Sequence, residues 1–301
     1  MPKRRILNFI ILLLFLTGCS SSASPSSQQT PESNLYIQNK GSDTMVNLAL
    51  AWAEKYQQDH PDLRISVTGG GTGTGITSLL NGTVDIANAS RKIKSEEIET
   101  ARKIGLEPVE YIVAKDAIAV IVNPNNPITQ LTLQQLSDIY SGKIGNWSEV
   151  GGVDRPIVRL SRETNSGTHT YFLEYVIRQG NNSDNTIFSP TTLLLPSSEG
   201  IIAEVSDNPN AIGYDGLGYI TSTVKVLAVA DKGSEQFVLP SVDTVNKKQY
   251  PISRDLYMYT PGEDSAEVLE YIDWILSADG QSIVQQLGFV PVSSQINDGS
   301  K

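Results

Sequence analysis

The sequence predicts an α/β fold built as two lobes with a ligand cleft between them. Short apolar strands alternate with helices across polar Gly/Ser/Thr turns, which puts ligand-facing groups at the C-terminal ends of strands. Tyr111 to Val122 is a long apolar segment broken by Lys115-Asp116, the pattern of a strand that changes surroundings halfway. With 301 residues, 39% hydrophobic and 19% charged, the chain has material for one large or two ordinary domains. Clefts between lobes are favoured ligand sites, and the crossovers act as hinges.

At the N-terminus, Lys3, Arg4 and Arg5 precede an apolar run from Ile6 to Leu16. The run is too short to span a bilayer as a stable helix. It ends in Leu16-Thr17-Gly18-Cys19, small residues before the only Cys of the chain. This is the lipobox pattern of a bacterial lipoprotein: residues 1–18 form a signal peptide and Cys19 carries the lipid. A single Cys excludes an intrachain disulfide and any multi-Cys metal site. Losing residues 1–18 removes three positive charges and no negative ones, so the net charge moves from −10 to −13. That balance argues against nucleic acid and against an anionic membrane surface. Residues 19–34 are Ser, Pro and Gln rich and read as a flexible tether on the extracytoplasmic side.

The folded part starts near Leu35 with a short strand to Ile37. Gly41-Ser42-Asp43-Thr44 leads into a helix with Met45, Leu48, Ala49, Trp52, Ala53 and Tyr56 at helical spacing. His60-Pro61 ends it. Leu63, Ile65 and Val67 alternate as a strand, and the Gly-rich run Thr68 to Gly75 opens a helix over Ile76 to Leu80. Val84 to Ala87 is a strand closing on Asn88-Ala89-Ser90-Arg91. Ser95 caps a helix through Lys103. Leu131 to Tyr140 is a helix, and Ile157 to Leu160 a strand. Ala211 to Tyr219 and Val224 to Val229 read as strands, as does Tyr257 to Tyr259. Ala266 to Leu276 is an amphipathic helix with Val268, Leu269, Ile272 and Ile275 as its core face.

Arg162 lies four residues before Ser166-Gly167-Thr168, which starts the apolar-periodic run His169 to Ile177. The first N–H groups of a helix have no internal partner and carry the positive end of its dipole. With a guanidinium fork beside them they outline an oxyanion site. Ser42-Asp43-Thr44 and Gly71-Thr72-Gly73 are two further exits carrying hydroxyls and backbone donors. Nucleotide motifs are missing: the Gly-rich run lacks the Gly-x-Gly-x-x-Gly offsets, and no P-loop Lys follows. No Gly-x-Ser-x-Gly elbow exists, and His169 lies along the helix side, away from a Ser166 nucleophile. Hydrolase chemistry is therefore disfavoured, and no enzyme activity, cofactor or metal is expected. His60 and His169 read as surface or packing residues, and Trp147 as core or rim.

Asp43 bears on selectivity. A carboxylate repels a bare anion but accepts a hydrogen bond from one that carries a proton. Hydrogen phosphate has such a proton near neutral pH and sulfate does not. The residue also suits a helix cap, and its position allows both roles.

These segments resemble the phosphate-binding lipoproteins of Pst-type ABC transporters, of the type II periplasmic-binding-protein fold. The resemblance covers roughly Leu35 to Val292. It rests on Gly41-Ser-Asp-Thr-Met45, Gly69-Gly-Gly-Thr-Gly-Thr-Gly-Ile76, Asp85-Ile-Ala-Asn-Ala-Ser-Arg91 and Leu136 to Trp147. Arg162-Glu-Thr-Asn-Ser-Gly-Thr168, Ala211-Ile-Gly-Tyr214, Asp279 to Val284 and Gly288-Phe-Val-Pro291 complete it. It implies mixed sheets flanked by helices, with residues 35–113 plus 254–301 as one lobe and 114–253 as the other. It implies capture of dehydrated phosphate between the lobes and delivery to permease subunits, by a monomer held to the membrane through its lipid alone. The phosphate-binding set it implies is Ser42, Asp43, Thr44, Gly71, Thr72, Ser90, Arg91, Arg162, Ser166, Gly167 and Thr168. Arg91 departs from the pattern: some members have there a carboxylate that accepts the phosphate proton. Either Asp43 takes over as acceptor or discrimination against sulfate is weaker, and Arg91 either contacts the ligand or points outward. A binder of sulfate, molybdate or tungstate, and a phosphate sensor without a permease, are the alternative readings.

Overall fold

The computed structural model describes residues 35–181 and 183–292. The expected signal peptide, Cys19 and the tether lie outside these residues. Strand β1 (Leu35–Gly41) runs beyond Ile37 to the motif glycine, and a 3-10 turn over Asp43–Met45 leads into α1 (Val46–Asp59). Met45, Leu48, Ala49, Trp52, Ala53 and Tyr56 are all buried, as their spacing predicts. Strand β2 (Leu63–Thr68) pairs in parallel with β1. Helix α2 (Thr72–Leu80) begins four residues before the predicted Ile76. Gly71, at φ +86°, turns the chain directly into the helix. Gly75 lets α2 lie on β1, since a Cβ there would sit 2.6 Å from Gly41 Cα.

Strand β3 (Ile86–Ala89) is parallel to β1 and lies two residues beyond the predicted span. In α3 (Ser95–Lys103) Ser95 is the first helical residue and not the cap. The carboxylate of Glu97 instead accepts from the Lys94 N–H at 2.8 Å. Strand β4 (Val109–Val122) pairs with different strands along its two halves. The predicted helix over 131–140 yields its start to β5 (Gln130–Thr132), and α4 (Leu133–Ser141) is capped by the Thr132 hydroxyl. Strand β6 (Val158–Arg162) delivers Arg162 at its end, and α5 (Gly167–Tyr171) continues as a wider π turn over Phe172–Ile177.

Strand β7 (Leu193–Leu195) and α6 (Ser198–Asp207) precede β8 (Ala211–Gly216). The predicted strand over 224–229 divides into β9 (Lys225–Val226) and β10 (Ala228–Ala230), which join different sheets. Strand β11 (Phe237–Val238), α7 (Val242–Asn246), β12 (Ser253–Thr260), α8 (Ala266–Leu276) and α9 (Ala278–Gln286) complete the order. In α8 the buried face is Val268, Tyr271, Ile272 and Ile275, while Leu269 is exposed. The i, i+3, i+4, i+7 stripe runs through Tyr271, and Leu269 falls beside it.

The main sheet has the order β2-β1-β3-β12-β4-β8-β6-β7, with β9 beside β4, and β11-β10-β5 form a second sheet. Residues 109–117 of β4 pair with β12, and residues 118–122 pair with β8. The change of partner falls just past Lys115-Asp116. One apolar cluster gathers Trp52, Met258, Tyr271 and Ile275, with Ala119 and Ile121 of β4. A second gathers Tyr140, Trp147, Phe172 and Tyr214, with Ile118, Val120 and Val122. The two-residue period of a strand thus sends alternate side chains of β4 into different cores. Trp52 Nε1 also donates to Gly280 O at 2.8 Å, tying α1 to α9. Among the described residues, no helix is long and apolar enough to cross a membrane.

Candidate functional site

Parallel strands β1, β2 and β3 end side by side, and their exits meet the start of α5. The Thr44 and Thr168 hydroxyl oxygens are 2.9 Å apart, and those of Thr72 and Ser90 are 3.3 Å apart. Gly167 lies against the second pair so closely that a Cβ would be 2.5 Å from Ser90 Oγ and 2.6 Å from Thr72 Oγ1. All of these residues are buried. Two of the hydroxyls share an electronic arrangement. Thr72 Oγ1 accepts from the Ser90 N–H at 3.0 Å, and Ser166 Oγ accepts from the Thr168 N–H at 3.2 Å. A hydroxyl has one hydrogen and two lone pairs. Where a fixed donor occupies a lone pair, the hydrogen is left to face another acceptor. The cluster is therefore rich in donors, and donor-lined concavities suit oxyanions.

Arg162 is buried to 1% exposure and bonded on every side. Its Nη2 donates to Asp43 Oδ2 at 2.9 Å and to Pro196 O at 2.8 Å, and its Nη1 donates to Ser198 Oγ at 2.9 Å. Asp215 stands 3.7 Å from Nη1, and burial raises the pKa of its carboxyl. The other Asp43 oxygen accepts from the Gly70 N–H at 2.8 Å, and Tyr219 donates to the Asp43 carbonyl at 2.6 Å. Ser42 and Gly71 hold backbone: the Ser42 N–H donates to Asn88 O at 2.9 Å, and Gly71 O accepts from Gly75 N at 3.1 Å.

Sequence reasoning missed Arg254 and Asp116. They stand directly opposite each other in the β12–β4 register, and Nη2 of Arg254 is 3.0 Å from Asp116 Oδ2. The same nitrogen reaches Thr168 Oγ1 at 2.9 Å and Thr44 Oγ1 at 3.4 Å. Nη1 donates to Ser90 O at 3.0 Å. Burial pushes the Asp116 carboxyl up to about 6, against the opposing pull of Arg254. The only sequence signal was Asp116 itself, a charge inside an apolar strand. Asn165 was also missed. Its carbonyl accepts from the Gly73 N–H at 3.0 Å and its amide donates to Gly70 O at 2.9 Å.

Arg91 is not drawn into the cluster. Its guanidinium pairs with both Glu97 oxygens at 2.8 Å, at the start of α3. His169 is buried, stacked on Phe188 at 4.5 Å, with Nδ1 3.1 Å from Ser161 Oγ. Burial lowers its pKa and favours the neutral ring. Trp147 is core.

Residues 22–279 match the family described as PBP superfamily domain. The phosphate-binding protein PstS of Pseudomonas aeruginosa is 32% identical over 278 residues, covering 86% of this chain and 84% of that protein. PstS of Bacillus subtilis is 32% identical over 275 residues, covering 91% and 86%. An ABC-transporter substrate-binding protein of Clostridium perfringens, solved with bound phosphate, superposes with a TM-score of 0.77 at 33% identity. That comparison covers 86% of this chain and all of the other. An α/β order, a mixed sheet, a donor-rich cluster at the strand ends and these relatives converge: the chain belongs to the Pst-type phosphate-binding proteins of the PBP superfamily.

Proposed function

We propose that this chain captures inorganic phosphate outside the cytoplasm and delivers it to the permease of an ABC importer. The observation that carries the reading is the cluster of buried hydroxyls, of which Thr72 and Ser166 already accept from backbone N–H groups and so turn their hydrogens elsewhere. Thr44 and Thr168 meet through their hydroxyls, as do Thr72 and Ser90, Ser166 caps the helix that bears Thr168, and Gly167 lets α5 approach. Arg162 supplies the positive charge, and Asp43 is the acceptor for a phosphate proton. Two acceptor positions of the Asp43 carboxylate are taken by Arg162 and Gly70. A carboxylate offers about four, so capacity for a further proton donor remains. Arg91 serves α3 and leaves acceptance to Asp43.

The protein acts by capture, not catalysis. Residues 35–113 plus 254–301 and residues 114–253 act as lobes that close on the ion, with β4 and β12 as the joining strands. The switch of partner along β4 supports this division. The chain works as a monomer tethered through lipid on Cys19. Calorimetric titration of residues 20–301 with phosphate and then sulfate tests the reading. Phosphate should bind and sulfate should fail to displace it at comparable concentration; displacement would assign the site to oxyanions in general. Cys19→Ala should free the protein from membranes, and retention would contradict the anchor.

A further inference from the structure

We propose that Arg254, held by Asp116, is a positioning residue of the phosphate site that occupies lone pairs on Thr168 and Thr44 and leaves a hydroxyl hydrogen of that pair for the anion. The inference rests on the reading of the cluster as a phosphate site.

The geometry begins with the cross-strand pair. Arg254 and Asp116 are register partners at the centre of the main sheet, with side chains 3% and 0% exposed. Nε and Nη2 both reach Asp116 Oδ2, at 3.3 and 3.0 Å, which fixes the plane of the guanidinium. The Tyr171 ring lies 5.7 Å from its carbon and closes one side. With that plane fixed, the remaining donors have set targets: Ser90 O after β3, Thr44 Oγ1 after β1 and Thr168 Oγ1 in α5.

The chemistry follows from what Arg cannot do. A guanidinium has five N–H donors, no acceptor, and does not lose its proton in a protein. A hydroxyl facing it must present a lone pair. Two hydroxyls 2.9 Å apart with no outside donor could satisfy each other in either direction. In either direction one hydrogen of the pair is used and one is spare; Nη2 of Arg254, at 2.9 Å from Thr168 Oγ1 and 3.4 Å from Thr44 Oγ1, occupies lone pairs and turns the spare hydrogen away from the guanidinium. Thr72 and Ser166 get the same service from the backbone N–H groups of Ser90 and Thr168. Thr44 and Thr168 receive it from Arg254. The residue thus extends to Thr168 and Thr44 the arrangement that backbone N–H groups give Thr72 and Ser166, and it does so from the paired strands β12 and β4.

Removing Arg254 alone leaves Asp116 buried and unpaired, so the test uses the neutral pair Asp116→Asn with Arg254→Gln, checked by thermal melting. Phosphate affinity is measured by calorimetry in a cycle with Thr168→Val. Phosphate binding by the parent tests the site reading separately. In the parent, Thr168→Val should weaken binding at least about tenfold, as for loss of one hydrogen bond to a charged group. The neutral pair should weaken it by a similar factor, and Thr168→Val should then add less than about threefold. The proposal is overturned if the neutral pair binds within about twofold of the parent, or if Thr168→Val costs the same factor in both backgrounds. Should the neutral pair not melt cooperatively, Arg254→Lys takes its place in the cycle. It keeps the charge beside Asp116 and loses the fork, and the same two outcomes overturn the proposal.

Discussion

Gly167→Ala is the sharpest probe of the cluster, because it adds one methyl group and no charge. The methyl would sit 2.5 Å from Ser90 Oγ and 2.6 Å from Thr72 Oγ1, where ordinary contact begins at 3.4 Å. Either the hydroxyls retreat or α5 backs away, in both cases by about 0.8–0.9 Å. A hydrogen bond of about 2.8 Å lengthened by that amount is no longer a hydrogen bond. Each bond to a charged ligand is worth about 1.5–3 kcal/mol. Losing one of the two hydroxyls therefore weakens phosphate binding by about ten- to 150-fold, and losing both squares that factor. The fold should tolerate the change. Gly167 is not among the positive-φ glycines, and alanine is the better helix former. The assay is calorimetric titration with phosphate beside a thermal melt. Affinity within about threefold of the parent, in a folded variant, would refute the placement of the ion between Gly167, Thr72 and Ser90.

Arg162→Ala takes the ion-pair partner from both Asp43 and the buried Asp215 and should cost about 3–5 kcal/mol of stability in urea melts, besides the loss of phosphate binding; a cost below about 1 kcal/mol would mean the network is not coupled. Asp43→Asn keeps the shape but changes the acceptor, so phosphate should weaken more than sulfate in competition titrations; equal weakening would reduce Asp43 to a cap and an Arg162 partner. Asp116 gives a pH signature. Its carboxyl is raised from 3.8 to about 6, so the folded chain holds a proton there that the unfolded chain releases. Stability from this group is present at low pH and is lost as pH rises from about 4 through 6. Asp116→Asn does not titrate and should gain on the parent by about 3 kcal/mol between pH 4 and pH 7. A pH-independent difference between the two in urea melts would contradict the raised pKa.

Helices with a full apolar stripe were legible. Helix α1 buries Leu48, Ala49, Trp52, Ala53 and Tyr56 as their spacing predicts, and α8 keeps its predicted ends although its buried face runs through Tyr271 and not Leu269. Helix α2 was read short because Thr72-Gly-Thr-Gly75 is poor helix sequence. Its first turn is held by Gly71 and by Asn165 reaching in from 92 positions downstream of Gly73, a contact that local pattern does not encode. Helix α6 carried a signal that went unused: Ser197 before Ile201, Ile202 and Val205 is a cap followed by a buried stripe. Around the cluster, Arg254 and Asp116 lie on strands outside any motif, where no local pattern marks them as partners. Arg254 stands 138 positions from Asp116, and only the antiparallel register makes them neighbours. Arg91 shows the converse. Its motif position left ligand contact and an outward pairing both open, and Glu97 six positions on holds both ends of its fork.

The buried charges around the cluster have a consequence for how the ion arrives. Asp43, Asp116 and Asp215 outnumber Arg162 and Arg254, so the attraction at the site is short-ranged and made of oriented N–H and O–H groups. The chain as a whole is acidic, with a net charge of −10, or −13 without residues 1–18. An approaching phosphate feels repulsion at long range and attraction only at contact. Dissolved ions screen the first beyond about 10 Å at 0.1 M and leave the second intact. Stopped-flow association should therefore quicken as ionic strength rises, the reverse of the behaviour of a site fed by a basic funnel.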